Sequence, residues 1–490
     1  MGWWRVWGSK MGVLAAAVVT WTAPVRPAQP LGVSRAPDGA ETPVAMHRVL
    51  RHEAAGLPAG DGGVGTGTRT AVAKPSVVVY GMRKFPYPYQ AMLAISSDAD
   101  HETLRKFNLI HTFLNTTQMT PMGRGLGLDI ADSFFMYNGS NLRENVDWHE
   151  SGLAGEFTYF YRTSDIPFGA KIIDRYIHAG WIDAMHSFGD FSMQNPHQTL
   201  FRRQLAVQAI RTLEAHKDFV TVWTDHGNQS NVDNFGAWGV SRFYRYQQGA
   251  LPGSPYHVTD LLIPYGIRFV WADIPSARFG YPSIIYPLRL PDGRKVWGFW
   301  RYTSSSIDKR GDSHWVWSVD DLSQVLTIRH LLEIEWGHEY AIVATHLCSD
   351  NDVNPLPGNA VAALRLLQHQ YLAGHILVAR TSRLLQYNVT QRYLQYYVTR
   401  SHQEAVIHIT GIADPVFGWQ PPTLANLRGV TFYTSDPART QIDIWNTPVN
   451  PALIQRNPTD GVHPSIGIRW YPPDTRNYAV TPPLRRIEVS

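Results

Sequence analysis

Between about residues 76 and 385, short apolar runs of strand length alternate with stretches of helical period. The pattern predicts strands over Ala91–Ser96, Leu128–Tyr137, Trp181–Met185, Phe219–Trp223, Ile267–Trp271 and Tyr340–Thr345. It predicts helices over Thr199–Ala215, Leu322–Glu333 and Ala360–Leu372, with a further helical start at Glu102–Phe107. Such β–α alternation argues for a parallel sheet, either open or closed into a barrel. An added hairpin is expected over Pro282–Trp300, around Pro291-Asp292-Gly293. Beyond residue 386 the texture changes to short strands between turn residues, such as Ala405–Ile409 and Ile466–Tyr471, which suggests a separate small β-sandwich. Ahead of Ser76, residues 29–75 are rich in Pro, Gly and Ala and read as a flexible linker.

The chemistry gathers where the predicted strands end. Asp98 and Asp100 follow Ala91–Ile95 directly, and their i, i+2 spacing turns both carboxylates to one side. Like charges held that close ask for a cation or a shared proton, although an aspartate pair also caps a helix well. The third run leads into His186-Ser187-Phe188-Gly189-Asp190, the fourth into Asp225-His226-Gly227-Asn228, and the last into His346. In a parallel sheet all these C-terminal ends share one edge, where active sites are built. Carboxylates and imidazoles converging there suit Zn2+ or a similar divalent ion, which needs about three protein ligands. Asp100 and His186 are two candidates; Asp190 is the first choice for the third and His226 the alternative. Asp98 is then free to act as base towards a metal-bound water, and His346 to protonate a leaving group. Asp132, Trp223 and Asn228 are candidate substrate contacts, with a turn, core packing and loop geometry as the respective structural alternatives. Cys348 carries no accompanying Cys-His-Asn pattern and reads as a bystander. The Gly123–Gly127 run precedes a strand, which argues against a phosphate loop.

These motifs, in this order, resemble the polysaccharide deacetylases of the NodB type, carbohydrate esterase family 4, within the glycoside hydrolase/deacetylase superfamily. Ser97-Asp98-Ala99-Asp100 is similar to the family's aspartate pair, whose first member is base and second a metal ligand. His186-Ser187 matches the start of its His-Ser/Thr-x-x-His motif, but Asp190 stands where the second histidine belongs. Ile342–Leu347 is similar to the late strand ending in a catalytic histidine, here His346. The family's arginine motif has no clean match, although Trp223–Gly227 falls in its place. The resemblance covers about residues 77–385. It implies a distorted (β/α)7 barrel and a metal-dependent hydrolase acting on carbohydrate C–N amide bonds, removing N-acetyl groups from a polysaccharide.

Composition narrows the remaining choices. Among 490 residues the formal charge is only +4, so nothing demands nucleic acid or an acidic membrane surface. The 17 Trp and 23 Tyr exceed what cores alone require and suit the flat faces of sugar rings. One cysteine excludes an intrachain disulfide. Arg5 and Lys10 ahead of the apolar Met11–Val19 indicate a signal peptide within residues 1–28, or an N-terminal anchor, hence an exported protein. Two rival functions remain open. One is a metal-free glycoside hydrolase using Asp98 with Asp225 or Asp132; the other is a non-catalytic polysaccharide binder at the cell surface.

Overall fold

The structure, a computed structural model, describes residues 76–100, 102–138, 156–191, 199–226, 231–236, 247–272, 275–307, 313–347, 355–401 and 403–479. All of them fall within one compact unit, residues 49–490. The expected signal or anchor (1–28), the linker (29–75), Asn228 and Cys348 lie outside the described residues.

The chain is mixed α/β, with a large curled, parallel-rich sheet and a separate, mainly antiparallel region. In chain order the main strands are β1 (Val79–Met82), β2 (Ala91–Ser97), β3 (Ala131–Phe134), β4 (Ile182–His186), β5 (Val222–Thr224) and β6 (Phe269–Trp271). There follow β7 (Ile285–Arg289), β8 (Lys295–Phe299), β9 (Arg301–Tyr302), β10 (Tyr340–Thr345) and β11 (Ile376–Val378). The helices are α1 (Leu104–Asn115), α2 (Ala170–Ala179), α3 (Arg203–His216), α4 (Thr259–Tyr265), α5 (Ile328–Gly337), α6 (Gly358–Leu372) and α7 (Thr381–Tyr393). Among the described residues no helix is long and apolar enough to cross a membrane.

Strand β2 sits at the centre of the large sheet. Ala91, Leu93 and Ile95 enter one core with Ile110, Phe113 and Leu114 of α1. Met92 and Ala94 enter another with Phe299, Tyr340 and Leu384. Because both faces are covered, the strand reads as an unbroken apolar run. Strand β10 pairs with it in parallel, from Tyr340 opposite Met92 to Thr345 opposite Ser97. On the other side β3, β4, β5, β6 and β8 follow in parallel order, and β7 closes the edge as the antiparallel arm of the expected hairpin.

Several predicted boundaries move for identifiable reasons. The ten-residue strand expected over Leu128–Tyr137 shrinks to β3, because Asn115 Nδ2 donates to the carbonyls of Leu128 and Ile130. The backbone N–H of Leu128 is spent on Leu114 at the end of α1. The single helix expected over Leu322–Glu333 splits at Thr327, whose hydroxyl accepts from the His330 N–H and caps α5. Helices α2, α4 and α7 were not predicted. Helix α7 buries Thr381, Asn388 and Thr390 along with its apolar residues, which blurs its periodicity.

The boundary placed at 385/386 falls inside α7, which runs straight into the strand Leu394–Arg400. Nor does the C-terminal region stand apart from the chain's beginning. Strand β1 pairs with Thr431–Thr434 in a four-stranded sheet completed by Ser465–Ile468 and Ile454–Asn457. Ile407, Ile409, Phe432 and Ile466 of the C-terminal strands share one core with Met92, Ala94 and Phe299.

Candidate metal centre

Parallel pairing brings the ends of β2, β4, β5 and β10 to one edge, and their next residues form a single cluster. Asp98 N–H donates to Thr345 O, which locks the β2 exit to the β10 exit. His186 is the last residue of β4, and His226 follows β5 by two residues. Asp100 Oδ2 lies 3.2 Å from His186 Nε2, and its Oδ1 lies 3.3 Å from His226 Nδ1. The two imidazole nitrogens are 3.2 Å apart. Donor atoms held at about 2.0–2.2 Å around a tetrahedral Zn2+ are separated by about 3.3–3.6 Å, so this spacing is close to what a divalent ion requires. Asp100, His186 and His226 are therefore residues that could hold a metal.

Both imidazoles are steered from behind. His186 Nδ1 lies 2.8 Å from the Thr224 hydroxyl; when it donates there, the neutral ring turns an Nε2 lone pair towards Asp100 and His226. His226 Nε2 faces Asp190 Oδ1 at 3.3 Å. That contact redefines Asp190: the expected third ligand stands on the far nitrogen of His226, and His226 takes the place beside Asp100 and His186. Phe135 stacks on His186 and meets His226 edge-on, packing against both rings.

Backbone geometry fixes the β4 exit. Ser187 adopts a left-handed φ of 52°, an uncommon conformation for a residue with a side chain. Its hydroxyl donates to Asn234 Oδ1 and accepts from the His226 N–H, tying the two histidine segments together. A Cβ on Gly189 would sit 2.2 Å from the Tyr137 carbonyl oxygen, so only glycine lets this segment approach and bring Asp190 into place.

Asp98 lies beside the triad and has a different environment. Arg301 Nη2 donates to its Oδ2 at 2.8 Å and to Ser96 O at 3.2 Å. The guanidinium packs 4.4 Å from the Trp271 ring centroid. His186 and His346 approach Asp98 at 3.6 and 3.9 Å, and Asp98 Oδ1 accepts no hydrogen bond. Burial alone would push this carboxyl up; Arg301 and then His186 outweigh it and hold the group below its ordinary range. Asp100 is held well below that range too, as His226, His346 and His186 overcome its burial. Burial works against charge on His226, but Asp100 and Asp190 raise its pKa to about 10. A field that strong for positive charge favours a cation as readily as a proton. The His346 side chain is 30% exposed and Asp100 17%, so the cluster opens to solvent on their side.

The remaining candidates lie elsewhere. Asp132 is fully buried, 3.6 Å from His111 of α1, and its backbone N–H goes to Trp181 O. It is a core residue rather than a lining one. Trp223 is also fully buried, stacked on Phe235, with its indole N–H on Asp225. Its core-packing alternative holds, and no ring face is left for a sugar. Asp225 accepts from Trp223 and from the Phe235 N–H, and burial pushes it up to about 6. Arg301 was missed. The available signal was a lone charge next to the buried Val296–Phe299 run, which has to find an opposite charge.

The fold and this cluster define an α/β protein with a candidate divalent-metal centre at the C-terminal edge of its parallel strands. No protein-family model and no curated protein matches the chain.

Proposed function

We propose that the protein is an exported, divalent-metal-dependent carbohydrate deacetylase that hydrolyses N-acetyl groups on a polysaccharide. The observation that carries this reading is the mutual 3.2–3.3 Å spacing of Asp100, His186 and His226, with an ionised Asp98 alongside. The fold reading that goes with it is a distorted (β/α)7 barrel with a sandwich-like C-terminal part that binds or orients the glycan. An ion of the Zn2+ class held by the triad supplies Lewis-acid polarisation of the acetyl carbonyl and acidifies water. Asp98, kept ionised by Arg301, accepts the proton of the attacking water. His346, at the solvent-facing side, gives a proton to the departing amine. Water and the N-acetyl group thus become acetate and a free amine.

The test is elemental analysis of the purified protein, paired with acetate release from N-acetylated glycans before and after chelation. The proposal expects about one bound divalent ion at the triad, chelator-sensitive release, and loss of release in Asp98→Asn and His186→Ala. Reducing-end formation insensitive to chelator would instead indicate glycoside hydrolysis. Glycan binding without metal or turnover would indicate a binding protein.

A further inference from the structure

A second ionisable cluster lies at the opposite edge of the sheet, where α2 and α3 end before β4 and β5 begin. Asp174 and His178 sit one turn apart on α2; His216 ends α3, and Asp218 follows its left-handed cap Lys217. His216 Nδ1 is 3.0 Å from Asp174 Oδ2 and 2.7 Å from the Tyr159 hydroxyl. His178 Nε2 is 3.0 Å from Asp218 Oδ1. One donor atom from each of Asp174, His216 and Asp218 lies within 4.8 Å of the others.

Two further observations point to a cation. Asp218 is completely buried, yet its Oδ2 accepts no hydrogen bond, and neither does the buried Oδ1 of Asp174. Dry carboxylate oxygens without donors are costly, and either a proton shared between Asp174 and Asp218 or a bound cation relieves the pair. In addition, both helices direct their C-terminal ends here, where the backbone dipoles favour positive charge.

We propose that Asp174, His216 and Asp218 form a second divalent-cation site that clamps α2 to α3. The donors are one imidazole and two carboxylates, and the imidazole favours Zn2+, Co2+ or Ni2+ over Mg2+ or Ca2+. The His216 side chain is about half exposed, so it has room to move towards tetrahedral spacing. The site is independent of Asp100, His186 and His226, which lie at the other ends of the same strands.

The experiment is a Co2+ titration, followed by visible absorption and calorimetric stoichiometry, on the full chain and three variants. In the Asp100→Asn/His186→Ala protein, which lacks the first site, about one equivalent is expected to bind. Adding Asp218→Asn or His216→Gln to it should abolish that equivalent; His216, being half exposed, keeps the test valid if Asp218→Asn misfolds. Melting of the Asp100→Asn/His186→Ala protein should rise by about 3 °C with Co2+ at a hundredfold excess over Kd. No binding to that protein overturns the proposal and leaves two Asp–His ion pairs. An equivalent that survives both Asp218→Asn and His216→Gln overturns it as well. Failure of the first site would look different: the unmutated protein would bind one equivalent, no more than the Asp100→Asn/His186→Ala protein binds.

Discussion

Replacing Arg301 with Met separates the electrostatic role of this residue from mere packing. Its side chain is fully buried and its partner Asp98 nearly so, with 2.8 Å between Nη2 and Oδ2. Removing one member of a buried pair costs about 3–5 kcal/mol, because the other charge stays behind unpaired. His186 at 3.6 Å and His346 at 3.9 Å give Asp98 some relief, which places Arg301→Met near the lower end, about 3 kcal/mol. For a unit of this size that is a fall in Tm of about 3 °C. Asp98→Asn in the same background removes the stranded charge and should restore most of the loss, so the cycle shows a coupling of about 2 kcal/mol. On activity, loss of the guanidinium should let burial push the Asp98 carboxyl up and carry the acid limb of the acetate-release profile up with it. Thermal or urea unfolding of the four proteins, with rate profiles of the active ones, is the assay. Additive single-variant costs, within about 0.5 kcal/mol, together with an unmoved acid limb, would refute the reasoning.

Asp190→Asn should weaken metal binding by about 10–100-fold, as expected of a group behind a ligand, whereas Asp100→Asn should abolish it. A chelator-competition titration decides, and equal losses would return Asp190 to the ligand set. His346→Gln should lower acetate release by about 100-fold or more with metal content unchanged, measured by turnover and elemental analysis side by side. Asp233 accepts the Phe188 N–H, and burial pushes its carboxyl up to about 7. A raised carboxyl means the folded state binds the extra proton, so stability falls as pH rises from about 4 to about 7, by up to about 1.4 kcal/mol per pH unit. Asp233→Asn should flatten that slope in urea unfolding; an unchanged slope would show that Asp233 is not its source.

The linear pattern located most of the elements that carry the site. Strand β2 was legible because burial on both faces leaves seven successive residues without a polar side chain larger than serine. The strand exits Asp98/Asp100, His186 and His346 were legible because parallel topology puts such exits on one edge. Which of Asp190 and His226 stands beside Asp100 and His186 was not. Asp190 and His226 are both near His186 in any plausible folding of the chain, and only the left-handed turn at Ser187 and the Gly189–Tyr137 approach put Asp190 behind His226. Asp132 and Trp223 looked like lining residues because they stand in or beside strands that reach the edge. Which side of the sheet a residue faces depends on register, and a bulge interrupts the pairing of β3 with β4 right after Asp132.

The sequence by itself determined the alternation of strands and helices, the β-rich end and the set of ionisable strand exits. These follow from hydrophobic period and turn chemistry, which are local. Tertiary structure decided that β1 belongs with the C-terminal strands, that α7 spans the expected boundary, and that Arg301 meets Asp98 across 203 positions of chain. Such pairings are made by burial and charge neutralisation between distant segments, and no local period encodes them.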